Sequence, residues 1–112
     1  MQMKKLTQQE FDQMYADGVK DFNNLDLSNL NLTNLSLTQM CFNNSNMSFT
    51  NFSNSDMSFT DLINTNLKHA SFYNANLRLA DLSKTNLTRA FLSGAKLKDV
   101  NLEDAVLKNT IF

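Results

Sequence analysis

The sequence predicts an all-β solenoid, and three observations carry that prediction. From Phe22 to Phe112 every fifth residue is large and apolar, nineteen times in succession without a slip. Two positions before each of these sits a second inward candidate, and from Ser45 to Thr110 it is always Ser, Thr, Ala or Val. The remaining three positions of each five are mostly Asn, Asp, Ser, Thr or Lys. Apolar positions two apart face the same way only where the backbone is locally extended, whereas a helix requires spacings of three and four. A continuous strand would keep alternating, but here the phase breaks every five residues. The chain must therefore turn after each short extended piece, at Asn, Asp and Ser that favour turns. A repeated side and bend wind into a coil, and successive coils pair through the backbone about 4.8 Å apart around an axial column of side chains.

The chain of 112 residues fits one domain, divided into an N-terminal segment with a capping helix (1–19) and the repeats (20–112). Its polarity, with no Trp, no Pro and two Gly, has something of a disordered composition. The unbroken apolar period argues for order, because a disordered segment has no reason to keep phase. A formal net charge of −1 writes neither nucleic-acid attraction nor strong acidity into the total. Cys41 is the only cysteine, so no internal disulfide is possible, and a reducing, cytoplasmic location is expected. Lys4 and Lys5 have no apolar run behind them, so neither a signal peptide nor a membrane span is expected.

Residues 7–17 read as a short helix. Thr7 followed three residues later by Glu10 is a capping-box pattern. Phe11, Met14 and Tyr15 form an apolar stripe at spacings of three and four, and Gly18 supplies a stop. A solenoid needs a cover over the exposed core of its terminal coil, so this helix is expected to lie over Leu25, Leu30 and Leu35. No insertion interrupts the repeats after it.

The repeat unit resembles that of the pentapeptide-repeat proteins, A-[DN]-L-x-x with a central Leu or Phe. Ala75-Asn76-Leu77, Ala80-Asp81-Leu82 and Thr65-Asn66-Leu67 are the nearest copies, with Ala95-Lys96-Leu97 looser. The resemblance implies a right-handed quadrilateral β-helix with four units per coil, hence about 4.6 coils and a rod of roughly 22 Å. One departure from the family pattern is that the first small-residue positions hold Leu25, Leu30, Leu35 and Met40, which overfill the first coil. Either that coil is wider or its side chains rise to meet the cap. The leucine spacing there also mimics part of a leucine-rich repeat, but later units keep five as the only period.

With four units per coil, residues twenty apart stack, and the sequence becomes a surface map. The column Asp21, Cys41, Asp61, Asp81, Asn101 places Asp61 and Asp81 about 5 Å apart, a pair suited to acid–base work or to a cation. Asp or Asn at this position also serves the turn, and that reading is preferred. His69 stacks with Asn29, Phe49 and Arg89, on a different side from Cys41. Neither a Cys–His catalytic pair nor a zinc site is therefore expected. With no Gly-rich phosphate loop either, no enzyme activity, cofactor or metal is expected.

Residues 21–67 hold four acids and no Lys or Arg, whereas 68–98 hold six cations against Asp81 alone. Read by column, the cations scatter around the rod, so direct nucleic-acid binding is not expected. Outward apolar residues suggest contact with something. Phe49, Phe59, Leu79 and Tyr73 form the candidate protein-contact surface. Phe91, Val106, Ile111 and Phe112 form a candidate C-terminal interface between two copies of the chain. The expected function is a non-enzymatic interaction or scaffold module with a protein partner. The alternative, suggested by the resemblance, is a DNA-mimicking protein that binds gyrase or topoisomerase IV. The short rod, the weak net charge and the lack of a projecting loop count against it.

Overall fold

Parallel backbone bridges join residues twenty apart down the chain, beginning with Asp21↔Cys41 and ending with Phe91↔Ile111. Four five-residue units thus complete each coil. The computed structural model describes residues 2–112. Each side of a coil is so short that the pairing is mostly single bridges rather than extended strand. The exceptions are β1 (Lys4–Lys5) and β2 (Leu25–Asp26), which pair in parallel.

Most units use their backbone in the same way. The central residue donates its N–H to the coil below (Phe22 to the carbonyl of Cys41, 2.8 Å), and the residue before it donates to the coil above (Cys41 to the carbonyl of Lys20, 2.9 Å). The chain then bends. The third residue of the bend is left-handed, from Asn24 at φ 60° to Asn109 at 55°, and a bond such as Ala75 N–H to the Phe72 carbonyl (2.9 Å) closes it. A positive φ at that position is the mark of a type II turn, where Gly or Asn is favoured. At Gly94 (φ 74°) a Cβ would come within 2.0 Å of the Asn74 amide oxygen, so the glycine also makes room for its neighbour one coil away.

The central residues Phe22 to Leu92 are buried as one column, with Phe22 stacked on Phe42 (5.7 Å) and Phe52 on Phe72 (4.9 Å). The small position beside them accounts for carbonyls that would otherwise be orphaned. Ser45 Oγ donates to the Phe22 carbonyl (2.9 Å), Thr50 Oγ1 to Leu27 (2.8 Å) and Thr65 Oγ1 to Phe42 (2.9 Å). Hydroxyls are admitted to this core because each has a partner there.

One helix, α1 (Gln8–Ala16), closes the first coil. Thr7 caps it: its hydroxyl accepts from the Glu10 amide (3.1 Å), while the Glu10 carboxylate accepts from the Thr7 amide (2.9 Å). Phe11 is fully buried with its ring 5.0 Å from Phe22. Leu30 and Met40 are buried, and Leu25 and Leu35 pack against the core together with Met14 and Tyr15. The oversized residues of the first coil thus lie where the cap meets the column. Gln8 and Tyr15 fasten α1 further through the backbone of Asn31 and Ser36.

The sequence pattern predicts no element before Thr7. The pairing of β1 with β2, extended by Leu6 N–H to the Asp26 carbonyl (3.0 Å), is an addition to it. The available signal was Leu6 itself. It precedes the N-cap by one and Phe11 by five, the two positions of a hydrophobic staple, and both are buried.

Candidate functional site

Since every bend is left-handed at one residue, the rod has four corners, each a vertical file of turn residues twenty apart. By first member they are the Asn24, Asn29, Asn34 and Gln39 corners. The Asn29 and Gln39 corners are two units apart, on opposite sides of the rod.

This geometry separates residues that the sequence pattern groups together. Phe59 and Leu79 lie at the Gln39 corner, on neighbouring coils, and Arg78, Lys98 and Asp99 line a shallow groove with Leu79. Phe49 lies at the Asn29 corner, with its ring stacked on His69 at 4.5 Å and 6°. Tyr73 sits at the Asn34 corner between them and stacks on Phe91 at 5.9 Å. Phe49, Phe59, Leu79 and Tyr73 are all exposed, but they do not form one surface. The coils turn the chain a quarter way round every five residues, which places Phe49 and Phe59 on opposite sides.

Of the candidate interface residues, Phe91 and Ile111 are bridged on one side of the rod, and Val106 pairs with Asn86 on the adjoining side. Phe112 is exposed at the end of the column. Tyr73 therefore belongs with Phe91 rather than with Phe59.

Three bulky residues occupy a backbone conformation that disfavours them. Phe49, Phe59 and Leu79 have φ of 60°, 61° and 61°, in the position that Asn fills at eight other bends. They are 55 %, 55 % and 49 % exposed. A left-handed conformation for a side chain of this size is uncommon and strained. The five-residue period shows only that these residues point outward, since neither φ nor strain is visible in it.

The acidic column is mostly turn chemistry. Asp21 and Asp81 accept from the amides of Asn23 (2.9 Å) and Ser83 (3.0 Å) two residues on, as Asp26 and Asp56 do from Ser28 (3.0 Å) and Ser58 (3.1 Å). Asp61 differs: the amide of Ile63 donates to Asn43 Oδ1 instead (2.9 Å), and Cys41 Sγ lies 3.9 Å from Asp61 Oδ2. Burial pushes the Cys41 thiol up, and the carboxylates of Asp61 and Asp21 push it further. Such a thiol is a poor nucleophile at neutral pH. Among the described residues no group of three or more His, Cys, Asp or Glu is placed to hold a metal, and no helix is long and apolar enough to cross a membrane.

The family model described as pentapeptide repeats matches residues 45–83 and 75–112, with eight copies. Three solved structures share the fold. HetL, a pentapeptide-repeat protein involved in heterocyst differentiation regulation in the cyanobacterium Nostoc sp. strain PCC 7120, is 30 % identical, with a TM-score of 0.63. The match covers 91 % of this chain but 45 % of HetL, so the chain spans less than half of that relative. Rfr23 of the cyanobacterium Cyanothece 51142 is 22 % identical over 91 % of this chain and 96 % of its own, with a TM-score of 0.59. A pentapeptide-repeat protein of the Arabidopsis thaliana thylakoid lumen is 27 % identical over 76 % of this chain and 59 % of its own, with a TM-score of 0.51. A comparison with curated proteins finds no match. The period of five, the twenty-residue ladder and these likenesses agree: the chain belongs to the pentapeptide-repeat family and has that family's fold, the right-handed quadrilateral β-helix.

Proposed function

We propose that the protein is a non-enzymatic interaction module, a rigid rod that docks a protein partner along its Gln39 corner. The observation that carries this reading is the pair Phe59 and Leu79. Each is strained by its left-handed backbone and each exposes about half of its apolar side chain, on neighbouring coils. Asn would serve the turn better and water better. Two costs borne at adjacent positions, with no return to the core, are offset if a partner covers the pair. Arg78, Lys98 and Asp99 beside them supply the polar rim that surrounds an apolar centre in protein interfaces. The likeness to HetL, which is involved in heterocyst differentiation regulation, supports a contact role rather than catalysis.

The test is the double substitution Phe59→Asn with Leu79→Asn. Relief of strain should stabilise the fold by on the order of 1 kcal/mol per site, read as a higher melting temperature. The same variant should fail to retain a host protein that the unaltered chain retains in affinity capture. A melting temperature lowered by several degrees would make the two residues structural and overturn the reading.

The topoisomerase reading draws on the acidic half of the rod, residues 21–67, which holds Asp21, Asp26, Asp56 and Asp61 and no Lys or Arg. Titrating the protein into a gyrase supercoiling assay, with and without a quinolone, decides it. Inhibition or protection at micromolar protein would favour the DNA mimic over the docking module.

A further inference from the structure

Three of the cations share one corner. Lys68 and Lys108 lie two coils apart in one file, and Arg89 lies on the coil between them in the adjoining file of the same bend. That gives one positive charge per coil, or one about every 5 Å along the axis. His69 sits among them, stacked face to face under Phe49. Across the next side of the rod, Tyr73 stacks on Phe91. The surface from the Asn29 corner to the Asn34 corner carries no Asp or Glu at all. Its remaining residues are chiefly Asn, Ser and Thr, with a shallow groove lined by His69, Arg89, Asn109, Thr110 and Ile111. The charge of the rod is thus lopsided across its axis, although its total is close to neutral.

From this arrangement we infer that the Asn29 corner and the side following it bind single-stranded nucleic acid. The phosphates lie along Lys68, Arg89 and Lys108, and unpaired bases stack on the exposed rings of Phe49 and Tyr73. Cations in file with interleaved aromatic rings are the chemistry that recognises a single strand without reading its sequence. A duplex hides its base faces and would leave the rings idle. An acidic peptide would use the cations but has no flat faces to offer the two stacked pairs. The cation corner lies on the opposite side of the rod from Phe59 and Leu79, and neither residue contributes to this surface, so it stands or falls separately from the docking reading.

The probe is a fluorescently labelled single-stranded oligonucleotide of mixed sequence, about twelve nucleotides long, titrated with the full chain and followed by anisotropy. With three phosphate contacts, log affinity should fall against log salt with a slope of about −2, a loss of roughly 15- to 20-fold between 50 and 200 mM salt. Replacing Lys68, Arg89 and Lys108 together by Gln should flatten that slope. Phe49→Asn, which suits the turn, and Tyr73→Ala should each weaken binding several-fold and leave the slope unchanged. A matched duplex should compete less well than the unlabelled strand. No binding at 50 mM salt would overturn the inference. So would equal competition by poly-glutamate at matched charge, which would assign the surface to an acidic protein, or full affinity in both aromatic variants.

Discussion

The two ends of the rod are built from the same repeat and treat it differently. At the first coil the column is closed: Phe22 is fully buried under Phe11, and the oversized Leu25, Leu30 and Leu35 fill the space beneath α1. At the last coil the same position comes out into water, with Leu107 at 42 % and Phe112 at 61 % exposure. The sequence gives both ends a large apolar residue in phase. Burial, not identity, decides what each contributes, because apolar area stabilises only in proportion to what is removed from water. A solenoid coil is buried by its neighbours, and an end coil is only as stable as whatever lies across it.

The largest expected effect tests that difference directly. Phe22→Ala should cost about 3–5 kcal/mol, the range for a buried aromatic truncated to Ala. Phe112→Ala should cost less than about 1 kcal/mol, as surface substitutions do. Denaturant unfolding of the two variants measures both. A cost at Phe112 approaching that at Phe22, and growing with protein concentration, would show the open coil covered in solution, as a joint between two copies would cover it.

A smaller effect probes how the closed end is held. Thr7→Ala removes one half of the capping box and should cost about 1 kcal/mol. The loss should fall on the first coil, so amide exchange should accelerate over residues 8–16 and 22–37 and change little beyond residue 80. Uniform acceleration along the chain would mean that cap and coils unfold as one unit.

How much of this was legible in the sequence depends on whether a property belongs to one position or to a relation between positions. The core was legible because the central residues from Phe22 to Leu92 keep one apolar phase and are all buried, and the capping box because Thr7 and Glu10 are a local pair. The pairing of β1 was not, since Lys4 and Lys5 are polar and their partners lie about twenty residues ahead. The surface was legible one file at a time and misleading between files. Counting cations along residues 68–98 left out Lys108, which shares a corner with Lys68, and treated Arg89 in the adjoining file as separate. Grouping Phe49 with Phe59 overlooked that ten residues carry the chain half way round a four-sided coil.

The smallest expected effect is acid sensitivity, and it too should fall at the closed end. Hydrogen bonds from Thr7, first its amide and then its hydroxyl, hold the Glu10 carboxyl below its ordinary value of 4.5. Burial pushes Asp26 up, but the Ser28 hydroxyl and amide, with Lys5 beside them, outweigh it and leave that carboxyl below 3.8. A carboxylate depressed in the folded state stabilises the fold above its unfolded pKa and ceases to do so as pH falls through the folded value. Both groups therefore support the cap at neutral pH and release it below about pH 4. Both are also substantially exposed to solvent, so the loss is small and screened by salt. Melting temperature followed from pH 6 to pH 3 should fall less steeply in the Glu10→Gln, Asp26→Asn double variant than in the unaltered chain. Both residues serve the cap, Glu10 through Thr7 and Asp26 beside Lys5 of β1. An unchanged slope in the variant would place the acid response in the coils and remove the last distinction drawn between the two ends.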